Sequence, residues 1–297
     1  MRILVAGDSL GLPRPNRINN YSPDETELAV AYENTYSSIV NKNLLEHFKM
    51  DPFIEMINRS RRFQTMKNVY EEFTDHLFFY EPDVIIIQVG IVDCWFRESL
   101  NGKQMVDKVS FEKYLSNILM LLNMRPLCKL IIIGISPTSK KMEKKFVGIN
   151  SEIRLYNEIL KAHVDNKNVF YVDMEKHVDS EQTQRYLLPD DHHLNRDGNK
   201  LVAEQLICIL KGFIFTNLGI QKHNKGKSRE ALNYFTKSFK EYPMNTDNIC
   251  NLLIIYYEIK DKVEMNLLID YVKDNNIKDK EISGIISVFE MENNNSF

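Results

Sequence analysis

Residues 1–10 read MRILVAGDSL, so a short apolar run leads directly into a Gly-Asp-Ser-Leu turn. The run Ile3–Ala6 is apolar throughout rather than alternating, which is typical of strands buried on both faces of a sheet. Four later runs have the same character, at Phe53–Ile57, Val84–Val89, Leu130–Ile133 and Val169–Val172. Amphipathic stretches of helical length lie between the runs, at Tyr32–Phe48, Phe63–Phe79, Ser110–Met124 and Glu152–Val164. The alternation predicts a parallel sheet with helices on both faces.

Composition narrows the class of protein. The chain has 297 residues, is 43% hydrophobic, and carries 38 Lys and Arg against 41 Asp and Glu, so a nucleic-acid partner is not expected. No apolar run approaches the roughly 20 residues of a membrane span, and the first run is too short for a signal-peptide core. The cysteines form no C-x-x-C pair, as is usual for free thiols in a reducing compartment: Cys94, Cys128, Cys208 and Cys250. We expect a cytoplasmic protein without a membrane span.

Polar residues follow the ends of several predicted strands. In open parallel sheets, ligands bind beyond the carboxyl ends of the strands. We therefore expect substrate contacts from five residues at or near these ends, namely Asp8, Asn58, Gly90, Asp93 and Arg97. The long proline-containing loop Leu10–Thr26 is expected to border the same cleft.

Ser9 directly follows the first strand, where its hydroxyl can face a cleft. A serine hydroxyl is a poor nucleophile unless a base takes its proton, and a lone serine at a strand end is more often a turn or cap residue. The candidate base is His193, which lies three residues after Asp190. That spacing lets the carboxylate hold the imidazole and stabilise its charged form, which predicts a Ser9–His193–Asp190 triad. His192 and His193 show no metal-ligand spacing, so no metal or cofactor is predicted.

These motifs together resemble the SGNH/GDSL hydrolase family. The resemblance rests on Gly7-Asp8-Ser9-Leu10, on Asp190-x-x-His193, and on the run from His193 to Gly198, and it spans about residues 1–211. It implies a three-layer α/β/α sandwich with a flavodoxin-like, five-stranded parallel sheet. It also implies ester or acyl chemistry on a small-molecule or carbohydrate ester.

The sequence departs from the family pattern at the expected oxyanion hole. The resemblance implies backbone donors at Ser9 and at the loop after the second strand, where this chain has Ser60 in place of glycine. The family's G-x-N-D loop reads Gly90-Ile91-Val92-Asp93 here, and Val92 cannot donate the hydrogen bond that asparagine gives. Three side chains could replace that donor, namely Arg97, Asn58 and Gln88.

Three functions remain open. The first is a serine esterase that removes an O-acyl group, with O-acetyl favoured, from a carbohydrate or small ester. The second is an O-acyltransferase acting on an intracellular glycan or sugar precursor. The third, motivated by Val92, is a catalytically impaired glycan-binding or scaffolding protein.

The region 212–297 resembles tetratricopeptide repeats. The 34-residue repeat pattern is matched at Phe215, Leu218-Gly219, Ala231, Phe235, Ser238 and Pro243. A weaker second copy follows one period later, and a last helix at about Lys280–Met291 is expected to cap the stack. We therefore predict a hydrolase domain over 1–211 and a repeat-like helical region over 212–297. The latter is expected to mediate self-association or bind a protein partner.

Overall fold

The computed structural model describes residues 1–15, 28–49 and 52–294. The chain divides into two compact units, Met1–Leu206 and Ile207–Phe297. Residues 16–27, which form most of the loop expected to border the cleft, lie outside the described residues.

The first unit contains a five-stranded parallel sheet, which confirms the predicted fold class. Its strands are β1 (Arg2–Gly7), β4 (Glu55–Asn58), β5 (Val84–Gln88), β6 (Lys129–Ile133) and β7 (Val169–Val172). Their spatial order is β4-β1-β5-β6-β7. The chain therefore places β4 on one side of β1 and then places β5, β6 and β7 in succession on the other side. A short antiparallel pair, β2 (Arg14–Pro15) and β3 (Leu28–Val30), follows β1 along the chain.

Helices flank the strands of this sheet. Those in or beginning in the first unit are α1 (Tyr36–Phe48), α2 (Met66–Phe78), α3 (Ile91–Cys94), α4 (Lys108–Leu122), α5 (Lys140–Lys145), α6 (Ile149–Lys161), α7 (Met174–His177) and α8 (Arg196–His223). On one face, strand residues pack with helix residues into a single buried cluster that includes Leu4, Ile85, Ile132, Phe73, Phe111 and Tyr156. This core fixes the strand ends at one edge of the sheet, where the polar motifs lie.

Several predicted boundaries differ from the structure by a few residues, and two of them have a clear local cause. The second strand begins at Glu55 rather than Phe53, whose side chain is 62% exposed and therefore does not join the core. Helix α2 begins at Met66 rather than Phe63, because Thr65 and Asn68 form a capping box that fixes the first turn. The three residues before that cap are then free to form a loop beside the strand ends.

The second unit is helical. It contains the end of α8 followed by α9 (Ser228–Glu241), α10 (Thr246–Glu258), α11 (Lys262–Asp274) and α12 (Lys280–Asn294). A Cβ atom at Gly219 would lie 2.4 Å from the ring of Phe235, so glycine permits close packing of these two helices. Both residues belong to the predicted repeat pattern, but the resemblance to tetratricopeptide repeats stays a prediction.

Helix α8 is long and apolar enough to cross a membrane by length and composition, and it is the one such helix within 1–15, 28–49 and 52–294. Of its most apolar window, 61% is buried within the protein. Core helices with buried apolar faces pass the same test, so this feature is weak support for a membrane span.

Candidate active site

The structure brings Ser9, His193 and Asp190 together although they lie about 180 residues apart in sequence. Ser9 Oγ lies 2.9 Å from His193 Nε2, and His193 Nδ1 lies 2.9 Å from Asp190 Oδ2. His193 is 5% exposed, whereas the Asp190 side chain is 33% exposed, so the imidazole is shielded from water and the carboxylate borders solvent. The two contacts place a hydroxyl, an imidazole and a carboxylate in the order that proton removal from a serine requires.

A tight loop places the carboxylate of Asp190 beside the imidazole of His193. Asp191 adopts a left-handed conformation with φ of 67°, and its N–H donates to the carbonyl of Leu188 at 2.9 Å. Asp190 Oδ1 accepts the backbone N–H of His193 at 3.0 Å. Burial raises the pKa of Asp190, but the hydrogen bonds from His193 and the nearby imidazoles outweigh it, so the pKa lies below its ordinary value of 3.8. The acid is therefore an anion throughout the physiological range.

The first turn after β1 presents Ser9. Asp8 caps this turn, since its Oδ1 accepts the N–H of Leu10 at 2.8 Å. Within the described part of the chain, the backbone N–H of Ser9 has no hydrogen-bond partner, so it is available to an oxyanion. Gly7 is needed for a steric reason rather than for a turn, because a Cβ there would lie 2.8 Å from Ser60 Oγ.

Asp8 and Asp93 were predicted to contact substrate, and the structure contradicts both predictions. Each is 0% exposed. Asp8 caps the nucleophile turn, while Asp93 Oδ1 accepts the N–H of Met66 at 2.9 Å and so anchors the start of α2. Burial raises the pKa of Asp8 to about 8 and that of Asp93 to about 7. They are positioning residues that hold two loops against the sheet.

The predicted donors at Asn58 and Ser60 are already used inside the protein. Asn58 Nδ2 donates to the carbonyl of Gly11 at 3.0 Å and to Ser37 Oγ at 3.2 Å. Asn58 Oδ1 accepts the backbone N–H of Ser60 at 2.9 Å. The structure therefore does not support Ser60 as an oxyanion donor or Asn58 as a substrate contact. This network instead joins the loop after β4 to the nucleophile turn.

Gly90 and Arg97 were also predicted to contact substrate, and for both this stays a prediction. Gly90 has φ of 133°, and a Cβ there would lie 2.4 Å from Ile135, so both backbone and space require glycine. The Arg97 guanidinium lies 5.1 Å from the centre of the Trp95 ring. Trp95 in turn packs edge-on against His192, with ring centres 5.0 Å apart. Arg97 and His192 therefore both contact the Trp95 ring.

Sequence reasoning missed Arg14, which joins the relay directly. Arg14 Nη1 donates to His193 Nε2 at 2.8 Å, and Nη2 donates to Asp190 Oδ2 at 3.2 Å. Its side chain is 31% exposed. Arg14 belongs to β2, within the loop expected to border the cleft, but no sequence pattern distinguishes it from other loop cations.

Sequence reasoning also missed Gln64, which is 2% exposed. Its side-chain Nε2 and Oε1 have no hydrogen-bond partner among the residues that the structure describes. The loop around it is tied at both ends: Arg61 N–H donates to the Gly7 carbonyl at 2.9 Å, and Met66 N–H donates to Asp93 at 2.9 Å. The loop that carries Gln64 is therefore joined to the turn of Ser9 and to the turn of the unusual Val92.

A small pocket lies beside the relay. It has a free volume of about 20 Å³, enough for roughly one water or methyl-sized group. Leu10, the neighbour of Ser9, and His192, the neighbour of His193, both line it. The rest of the lining comes from the ends of β5 and β6 and the loops that follow: Gln88, Val89, Ile91, Ile133, Gly134, Ile135 and Ser136. Gln88, one of the predicted replacement donors, therefore faces this pocket.

Among the residues that the structure describes, two groups of side chains are close enough to share a metal ion. Asp190, His192 and His193 form one of them, with ligand atoms within 4.8 Å of each other. A metal there would have to displace the hydrogen bonds of His193 to Ser9 and Asp190. It would also have to displace the 2.8 Å contact of His192 Nδ1 with the Asp190 carbonyl. Burial, with the charge of His193, lowers the pKa of His192 to about 4, so this imidazole is neutral at pH 7.

The second group, in the helical unit, comprises Cys250, Asp279 and Glu281. Asp279 Oδ1 accepts the N–H groups of Glu281 and Ile282 at 2.8 and 3.0 Å, which caps α12. Its carboxylate therefore already has a structural role.

The family model of GDSL-like lipases and acylhydrolases matches residues 22–201, more than half of the chain. The chain belongs to this family. The matched segment begins after Ser9 and so does not include the Gly-Asp-Ser-Leu motif. It includes Asp190 and His193, and the protein is an SGNH-type hydrolase.

Solved structures show the same fold at low sequence identity. An α/β hydrolase from the metagenome of Lake Arreo, Spain, has a TM-score of 0.51 and 16% identity, covering 68% of this chain and 91% of that one. A catalytic mutant of an acetylxylan esterase from Geobacillus stearothermophilus has a TM-score of 0.50 and 16% identity, covering 68% and 90%. A lipase/acylhydrolase from Enterococcus faecalis has a TM-score of 0.50 and 17% identity, covering 70% and 94%. No curated protein sequence matches the chain.

Proposed function

We propose that this hydrolase removes a short O-acyl group, with acetyl favoured, from a carbohydrate or other small ester through an acyl-enzyme on Ser9. The observation that carries the proposal is the continuous relay from Ser9 Oγ through His193 to Asp190, with both contacts at 2.9 Å. Ester hydrolysis follows from the family, whereas the acyl group, the alcohol and the residue roles are the content of this proposal.

The reaction has two halves. Ser9 Oγ attacks the ester carbonyl carbon while His193 Nε2 takes its proton, and the tetrahedral intermediate then expels the alcohol, which receives that proton. Water, deprotonated by the same nitrogen, attacks the acyl-enzyme and releases the carboxylic acid and free Ser9. Asp190 stays ionised throughout, because its role is to orient the imidazole and stabilise its positive form.

The oxyanion needs donors that Val92 cannot supply. The N–H of Ser9 is free for this role among the described contacts. We assign the second donor to the amide of Gln64, which is buried, unpartnered and held between the loops of Ser9 and Val92. A buried amide without a hydrogen-bond partner destabilises the resting protein. An oxyanion that forms during the reaction would give this amide an acceptor and so stabilise the transition state.

The small pocket supports a short acyl group. With about 20 Å³ of free volume next to Leu10 and His192, it has room for the methyl of an acetyl group but not for a longer chain. The acetylxylan esterase with the same fold is compatible with this proposal.

The first test asks whether Ser9 is an activated nucleophile. Wild-type protein should react with a fluorophosphonate probe and hydrolyse 4-nitrophenyl acetate, and Ser9→Ala should lose both. Ser60→Ala is a matched control, since it removes a nearby hydroxyl that has no role in the relay. Retention of esterase activity by Ser9→Ala would refute the proposal.

The second test concerns the acyl group. We expect kcat/KM to fall from acetate to butyrate to octanoate esters. Ile135→Val, which widens the pocket by about one methylene, should raise the butyrate-to-acetate ratio. Ile118→Val is the matched control, because Ile118 is equally buried but lies on α4 and outside the pocket. Equal rates on all chain lengths in the wild type would exclude the pocket as the acyl site.

Supplying sugar acceptors during acetate release separates hydrolysis from acyl transfer.

A further inference from the structure

Arg14 donates a hydrogen bond to Nε2 of His193, the nitrogen that must take the proton of Ser9 in the proposed reaction. In the neutral imidazole oriented by Asp190, Nδ1 carries the proton and Nε2 carries one lone pair. Two donors approach that lone pair, Ser9 Oγ at 2.9 Å and Arg14 Nη1 at 2.8 Å. Arg14 is always charged and cannot accept a proton. Once His193 is protonated, two N–H donors would face each other at this distance, so Arg14 has to leave Nε2 for the reaction to proceed.

The surroundings of Arg14 limit where its guanidinium can go. Asp190 Oδ2 is its only ion-pair partner within the described residues, and that oxygen already accepts a hydrogen bond from His193 Nδ1. With 31% of its side chain exposed, Arg14 borders solvent at the mouth of the relay rather than the core. A guanidinium that leaves Nε2 at this position keeps its charge and several free donors. An anionic oxygen group is the ligand that best matches those donors, because it can take two parallel hydrogen bonds.

We infer that Arg14 is a substrate-binding residue that selects esters carrying a carboxylate or phosphate near the acyl group and that restrains His193 until such a group draws it away. This inference rests on the proposed function, whose active serine and base it adopts. It narrows the substrate class from carbohydrate or small esters to acidic or phosphorylated ones. Neutral esters are then expected to react slowly, because they carry no anionic group that draws Arg14 away from His193.

The first measurement compares the reactivity of Ser9 in full-length proteins without any substrate. We expect neutral diisopropyl fluorophosphate to label Arg14→Gln about tenfold faster than wild type, the effect of losing one charge-assisted hydrogen bond to the base. Arg154→Gln is the matched control, since Arg154 is exposed and, among the described residues, donates a hydrogen bond only to the carbonyl of Asn150. Equal labelling of wild type and Arg14→Gln would show that Arg14 does not restrain the base.

The second measurement compares acetate release from mono-O-acetylated methyl glucoside, glucuronate and glucose 6-phosphate. In the wild type and in Arg154→Gln, kcat/KM should be about tenfold or more higher for at least one anionic sugar than for the neutral one. The ratio should fall to about one in Arg14→Gln, and Arg14→Lys should keep only part of it because lysine lacks the fork of donors. The two anionic arms distinguish a carboxylate from a phosphate ligand.

The outcomes separate this inference from the proposed function. Active wild-type protein with no preference for either anionic sugar, or with a preference that survives in Arg14→Gln, would overturn the role of Arg14 and leave the esterase intact. Absence of both labelling and ester cleavage in all variants would overturn the proposed function and this inference with it.

Discussion

The assignment of Gln64 to the oxyanion makes an unusual prediction, because one substitution should slow the reaction and stabilise the fold. Gln64→Met keeps the length of the side chain and removes the amide. In the resting protein that amide has no partner among the described residues and is 2% exposed, so its loss breaks no hydrogen bond. Relief of an unsatisfied buried amide is worth about 1–3 kcal/mol, which should raise the free energy of unfolding.

The effect on catalysis should have the opposite sign. Removal of one oxyanion donor lowers kcat by roughly 10²–10³, equivalent to about 2.7–4 kcal/mol of transition-state stabilisation. Since the oxyanion exists only in the transition state and intermediate, kcat and kcat/KM should fall together while KM stays nearly constant. Steady-state kinetics on 4-nitrophenyl acetate and thermal unfolding of the same preparation measure both effects.

Gln88→Met is the matched comparison for this experiment. Gln88 is also buried, has an unpartnered Oε1, and lines the small pocket instead of the loop between Ser9 and Val92. A hundredfold loss of kcat in Gln88→Met with no more than a threefold loss in Gln64→Met would refute the assignment and transfer it to Gln88. A large loss in Gln64→Met accompanied by a lower melting temperature would indicate a structural role instead.

Three further predictions concern the scaffold and the relay. Burial raises the pKa of Asp8 from 3.8 to about 8 in the folded protein, so its contribution to stability is full below about pH 4 and is lost as the pH rises to about 8. Asp8→Asn should therefore flatten the fall of melting temperature between about pH 4 and 8. Gly90→Ala should lower the free energy of unfolding by about 2–4 kcal/mol. Adding Ile135→Ala should recover only the part of this loss that comes from the clash with Ile135, since φ of 133° remains unfavourable for alanine. An unchanged melting temperature in Gly90→Ala would contradict this. Asp190→Asn should lower kcat by about 10³–10⁴ with Ser9 still present, and a loss below tenfold would show that the carboxylate does not orient His193.

The sequence predicted the sheet well because its strands are buried on both faces. The runs at Ile3–Ala6 and Leu130–Ile133 are short, apolar at each position and rich in β-branched residues, which is typical of strands buried on both faces. Boundaries were less predictable where apolar residues are exposed, as at Phe53, or where a cap competes with apolar periodicity, as at Thr65. In both cases a local hydrogen bond or solvent contact decided the outcome, and hydropathy does not encode either.

The residues of the candidate site also differ in how well the sequence predicts their roles. The pairing of Ser9 with Asp190 and His193 could be predicted because each residue type has a distinct chemical role and lies in a recognisable motif. Asp8 and Asp93 carry the same kind of charge beside the same motifs, yet they are fully buried and serve as caps. Their hydrogen bonds to the N–H groups of Leu10 and Met66 show that they hold loops, and the sequence does not reveal those contacts.

Arg14 and Gln64 were missed for a related physical reason. A loop arginine and a buried glutamine become functional only through the partners they have or lack, and those partners are distant in sequence: Arg14 reaches Asp190 and His193, while Gln64 reaches no partner in the described structure. Both lie where this chain differs from the motif-based expectation, one on the base and the other beside Val92. If both assignments hold, an acylhydrolase that lacks the usual asparagine donor has kept the Ser-His-Asp relay and rebuilt its surroundings. Gln64 then supplies the missing transition-state donor, and Arg14 admits substrates by their charge.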